Sequence, residues 1–318
     1  MPEGFANYVR TGLTRRHFIL SLTASLGFAV AAEANGLHID DRLTNDDGLG
    51  VNYGPRTGVP LQRPPDIFSQ VTPEAGIDVG VSFGNSIQKL IKAGALDPKK
   101  LRSSSDGLPD WVEGVLTKPS TEAIRFSRDT ALYLVDLLWP LGLSTKAAFN
   151  KKSPINTLQI PGFASTGGWH LGRARNGYVY FNKIDAITMT VQQEAMVLEA
   201  ATRMFRPCCD NSTFYQDCNH GSALLGLMEL AASQGATAER LYQIALVANS
   251  YWFQNEYAET ALYFSHFEAR SWDRVVPQII LGADYSSLSG WRRNVDDRLS
   301  QANVTLPPAP MDSAVCGI

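Results

Sequence analysis

Apolar positions along this chain recur mostly at helical spacing. Ile87, Leu90 and Ile91 predict a helix over Ser82–Ala95, with Gly94 near its end. A longer helix is expected over Ser120–Trp139. Its second half, Ala131, Leu132, Leu134, Val135, Leu137, Leu138 and Trp139, is apolar nearly all round and should be buried, with Pro140 and Gly142 as stops. Thr190-Val191-Gln192-Gln193 fits a capping box, and Val191, Ala195, Leu198 and Phe205 then share one face until Pro207. Ala223, Leu224, Leu227, Leu230 and Ala231 form the next stripe, closed by Gly235. Thr237 opens another helix, with Leu241, Ile244, Ala245, Ala248 and Trp252 on one side. The short link between the two predicts an antiparallel pair. Ala258–Ala269, Asp273–Leu281 and Ser286–Ser300 also read as helices.

The pattern changes between Leu158 and Thr188. Trp169-His170-Leu171-Gly172 and Tyr178-Val179-Tyr180-Phe181 flank Asn176-Gly177, a pair that supplies the positive φ angles of a tight hairpin turn. A small β-ribbon is expected there. The fold class that results is mainly α: a helical globular body built on helix–loop–helix hairpins, with a small β-ribbon insert.

Three segments divide the chain. Residues 1–34 carry Arg15-Arg16, an apolar run from Phe18 to Ala32, and the small residues of Ala32-Glu33-Ala34. The run is shorter than the about 20 residues a membrane span needs. This segment resembles a twin-arginine export signal. The resemblance implies the twin-arginine export machinery as a partner, carriage in the folded state, cleavage after Ala34, and a periplasmic or extracellular destination with no integral membrane segment left. Residues 35–75 are rich in Gly, Pro, Asp and Arg and read as an extended N-terminal arm. Asp40, Asp41, Asn45, Asp46 and Asp47 lack the alternating ligand spacing of a calcium loop. Residues 76–318 are expected to form a single mainly helical domain.

Composition adds bounds. The chain has 318 residues, 44% hydrophobic and 19% charged, enough for a sizeable core. A net charge of −3 gives no reason to expect nucleic acid as a partner.

The chemistry concentrates in one stretch, Arg206-Pro-Cys208-Cys209-Asp210 to Asp217-Cys218-Asn219-His220-Gly221. It holds three of the four cysteines and is expected to form a loop between two helices. Three readings are open. A metal site would use Cys208, Cys209, Cys218 and His220, with His170, His266 or an Asp completing the shell. Thiolates with imidazole suit copper, zinc or an iron–sulfur cluster. Adjacent cysteines seldom both reach one tetrahedral ion without strain. A disulfide would join Cys208 or Cys209 to Cys218, or bring in Cys316, giving a stapled binding or scaffold protein without catalysis. A thiol enzyme would use Cys218 as nucleophile and a histidine as base, oriented by Asp217 or Asp210. An Asp217 or Asn219 cap would set the cluster at the positive end of a helix, which favours a thiolate.

Other carboxylates, Glu194, Glu199, Glu229, Glu256 and Glu259, read as solvated helix faces unless Glu229 is buried beside the motif. The segment from Arg206 to Gly226 resembles an uncharacterised type of bacterial exported protein, which implies no activity.

Overall fold

The computed structural model describes residues 66–103 and 107–307. The signal-like segment, the arm up to residue 65, and Cys316 lie outside them. Fourteen α-helices follow in order: α1 (Ile67–Val71), α2 (Ser86–Ala93), α3 (Pro98–Ser103), α4 (Asp110–Thr117), α5 (Ala131–Ser144), α6 (Ala164–Gly167), α7 (Val191–Arg203), α8 (Asn219–Ser233), α9 (Ala238–Trp252), α10 (Gln254–Phe267), α11 (Pro277–Ile280), α12 (Ala283–Ser286), α13 (Leu288–Trp291) and α14 (Asp297–Gln301). A π-helical turn, Arg292–Asp296, joins the last two. None of these helices is long and apolar enough to cross a membrane.

The body is mainly α, as the periodicity predicts. The small ribbon exists, but elsewhere. β1 (Ile77–Asp78) pairs antiparallel with β2 (Arg125–Phe126). The segment from 158 to 188 holds 3-10 turns and α6 instead of a hairpin. Asn176 there caps a turn, its side chain accepting from the Tyr178 N–H, so Asn-Gly opens a helical turn and closes no hairpin. The last part of the expected arm is also different. Residues 67–71 are helical, and Phe68 and Val71 are buried.

α8 runs through the core of the described residues. Every residue from His220 to Ala232 is buried, where the sequence showed a one-sided stripe. It is packed by α5, α7 and α9 together, so no side of it meets water. The closest neighbour is α5, at a crossing built on Gly142 and Gly226. A Cβ on Gly226 would stand 2.6 Å from the Gly142 nitrogen and 2.7 Å from the Leu138 carbonyl oxygen. Only glycine lets the two backbones approach this closely.

That crossing explains a misread boundary. α5 starts at Ala131, not Ser120, because residues 124–126 are drawn into pairing with β1 and its neighbours. It then runs through Pro140 and Gly142 to Ser144. Proline in a helix interior costs about 3 kcal/mol and leaves one carbonyl unbonded. Here every residue from Leu137 to Ser144 is buried, and packing on α8 offsets the loss.

The capping box at Thr190 and Gln193 forms as expected. The face of α7 does not. Val191 is 80% exposed, and Val197, Ala200 and Ala201 are the buried residues. The α8–α9 pair forms, with Thr237 as N-cap and all of Leu241, Ile244, Ala245, Ala248 and Trp252 buried.

Candidate functional site

The motif is the loop between α7 and α8, as its position between two apolar stripes predicts. It is tied down at both ends. The Phe205 N–H donates to the Leu281 carbonyl, and the Thr213 N–H to the Met204 carbonyl. The Cys209 carbonyl accepts from Leu288, and Asp210 Oδ1 accepts from the Ser289 N–H at 2.7 Å. The loop is therefore moored to α13.

A turn over Arg206–Cys209 folds the adjacent cysteines back toward Cys218. The three sulfurs lie within 4.8 Å of one another. Cys208 Sγ is 3.8 Å from Cys218 Sγ, and all three thiols are free. The turn brings both adjacent cysteines near Cys218. Among the described residues this is the one group of potential ligand atoms so closely gathered.

Cys218 itself is the N-cap of α8. Its sulfur accepts from the Gly221 N–H at 3.3 Å. The cap is neither Asp217 nor Asn219, because Asp217 is engaged elsewhere. The sulfur stands at the positive end of a helix 15 residues long and almost wholly buried.

Arg206 organises the rest, and it is the residue the sequence reading left without a role. It is fully buried. Its Nε donates to Cys218 Sγ at 3.0 Å, Nη1 to the Asn211 carbonyl at 3.1 Å, and Nη2 to Asp217 Oδ1 at 2.5 Å. The Asn211 side chain donates to the other Asp217 oxygen at 2.7 Å. Gly221 makes room, since a Cβ there would lie 2.6 Å from Arg206 Nη2. A buried guanidinium at the positive end of a helix is unfavourable unless negative charge faces it. Asp217 and the Cys218 sulfur supply that charge.

The thiol of Cys218 is accordingly held well below the usual range. Hydrogen bonds from Cys208 and Cys209 are the main cause, with the Arg206 charge and a hydrogen bond to His220 adding to them against burial. Cys208 moves the other way, pushed up by its bonds to Cys209 and Cys218 and by burial. Cys208 Sγ faces the Cys218 sulfur at 3.8 Å, and Cys209 Sγ faces the Asn211 carbonyl at 3.9 Å.

His220 is buried in the first turn of α8, its ring against Trp252 at 5.7 Å and Phe253 at 4.9 Å. It interacts with Cys218 but is not part of the three-sulfur group. Behind it stands Asp136 on α5. Burial raises the Asp136 carboxyl to about 6, while His170 and His220 pull it down. His170 Nε2 is 3.8 Å from Asp136 Oδ1, and its ring packs on Trp139 at 5.6 Å. Ser165 closes this side. Its N–H donates to the Asp217 carbonyl at 3.0 Å, and its buried hydroxyl has no partner.

The remaining candidates disperse. Asp210 and Asp217, expected to orient an imidazole, serve α13 and Arg206 instead. His266 stands edge-on to Phe267 at the end of α10. Glu229 is fully buried with both carboxylate oxygens unpartnered, and burial, with Glu194 nearby, raises it well above the normal range. It stands nine residues beyond His220 on α8, roughly 13 Å along the axis, so it does not adjoin the motif. Asp136 had a visible signal, a lone carboxylate inside the apolar run Leu134-Val135-Asp136-Leu137-Leu138.

Comparison with protein-family models, curated proteins and solved structures gives no match to this chain.

Proposed function

We propose that this chain is an exported metal-binding protein whose centre is the thiolate group Cys208, Cys209 and Cys218, with His220 as neighbour to Cys218. The observation that carries the reading is the gathering of three free sulfurs within 4.8 Å of one another. A sulfur separation of 3.8 Å between Cys208 and Cys218 suits two thiolates on one ion. At metal–sulfur distances of about 2.3 Å, tetrahedral or trigonal ligation spaces sulfurs by close to that amount. Three soft donors favour zinc or copper(I). Three protein ligands leave a position open for water or substrate, the arrangement of a catalytic more than a structural ion. Arg206 offsets the charge that three thiolates bring, and Asp217 holds Arg206 in place. Export by the twin-arginine route, which rests on Arg15-Arg16 and Ala32-Glu33-Ala34, accords with a centre loaded before translocation.

The test is elemental analysis of the protein purified without chelators, combined with counting of accessible thiols. One zinc or copper per chain, with thiols protected until a chelator is added, is the expected result. Metal-free protein in which Cys209 is the one accessible thiol of the three would sink the metal reading. It would favour the second reading, a Cys208–Cys218 disulfide in a stapled scaffold, which the same short sulfur separation also permits.

A further inference from the structure

A second site lies away from the cysteines. A cavity of about 580 Å³ opens between α4, the loop from Lys118 to Ile124, and the first half of α5. Its floor is Phe83, Val115, Ile124 and Leu134, all buried side chains. Trp111 forms a wall, its ring set edge-on to Tyr133 at 6.2 Å. No residue of the cysteine motif borders it.

The wall contains a glycine that packing does not require. Gly114 is the fifth residue of the eight in α4. A Cβ added there would meet nothing within 4 Å. Glycine in a helix interior is less stable than alanine, and at Gly142 or Gly226 a close backbone repays that cost. At Gly114 no neighbour does. What the missing side chain provides is open volume in the cavity wall.

The lip gives the polarity of the occupant. Lys118 and Glu122 stand on it with opposite charge. Arg125 also borders it, but its guanidinium is held by both oxygens of Asp78 at 2.9 Å. The lip therefore selects no net charge, and the floor offers only apolar surface. Sites of this volume and lining hold small organic molecules. We infer that this cavity binds a small uncharged apolar molecule, of bicyclic or tricyclic size, against Trp111 and over Gly114.

The probe is N-phenyl-1-naphthylamine, a neutral dye that brightens in apolar surroundings, titrated into the full chain. The wild type should give a saturable signal from one site. Gly114→Ala should melt at a higher temperature and keep most of the binding. Gly114→Leu should fold at least as well as the wild type and lose affinity at least tenfold. If Gly114→Leu melts early, Ala123→Trp, at an exposed position lining the same cavity, is the second blocking variant, with the same expected loss. Failure of the dye to saturate the wild type, or equal affinity in a folded blocked variant, would overturn the inference. Metal content plays no part in this readout, so it stands or falls separately from the cysteine centre.

Discussion

The Nε of Arg206 lies 3.0 Å from the sulfur of Cys218, and the guanidinium that carries it is wholly buried. One side chain thereby joins the Cys218 sulfur, Asp217 and the loop carbonyl of Asn211 into a single network. Removing the cation would strand Asp217, whose side chain is 17% exposed. Breaking a buried pair from one side costs about 3–5 kcal/mol. Arg206→Leu should therefore destabilise by that order in urea unfolding. Arg206→Lys should recover only part of it, because an ammonium cannot present three donors in the fork that these acceptors require. Equal stability of wild type and Arg206→Leu would remove the network from the account of this loop.

The three thiols should differ in reactivity. Cys218 is held below the ordinary thiol range and Cys208 above it. In metal-free, reduced protein, alkylation by iodoacetamide at neutral pH should mark Cys218 faster than Cys208 once exposure is allowed for, although Cys208 is the more exposed of the two. Peptide mapping by mass spectrometry gives the order. Cys218→Ser should abolish metal binding, whereas Cys316→Ser should leave it intact.

Asp136 predicts a pH dependence with a definite sign. Its folded carboxyl titrates at about 6, above the ordinary 3.8, chiefly through burial. The folded state then binds more protons than the unfolded state between those values, so stability falls as pH rises through 6. The side chain is 27% exposed, which moderates the effect. Asp136→Asn should stabilise by about 1–2 kcal/mol at pH 8, and the gain should fade as pH falls toward 4. His170 and His220 are the imidazoles facing Asp136. A gain that grew toward low pH would mean that their attraction, not burial, governs the carboxyl.

At the α5–α8 crossing, Gly226→Ala would set a methyl 2.6 Å from the Gly142 nitrogen. Both helices are locked by neighbours, so the helices must part. The expected cost is about 1–3 kcal/mol, despite the better helix propensity of alanine. Thermal unfolding would decide it, and a variant as stable as the wild type would show that the crossing yields.

Residue order alone determined the helical class, the capping box at Thr190 and Gln193, the α8–α9 pair and the place of the cysteine loop. Each depends on neighbours within a few residues: a side chain that reaches an N–H three positions on, or an apolar spacing that repeats every turn. Tertiary structure decided what those local rules leave open. It carried α5 through Pro140, because burial against α8 outweighs one lost hydrogen bond. It buried α8 on every side, which a stripe of leucines cannot announce. It turned Asn176-Gly177 into a helical turn, in which the Asn176 side chain accepts from the Tyr178 N–H. At the site, the sequence named the three cysteines, but only the folded chain could bring Arg206 under Cys218 and stand Asp136 behind His220. Those pairings join residues of different elements, and the free energy that selects them lies in desolvated charge seeking its opposite.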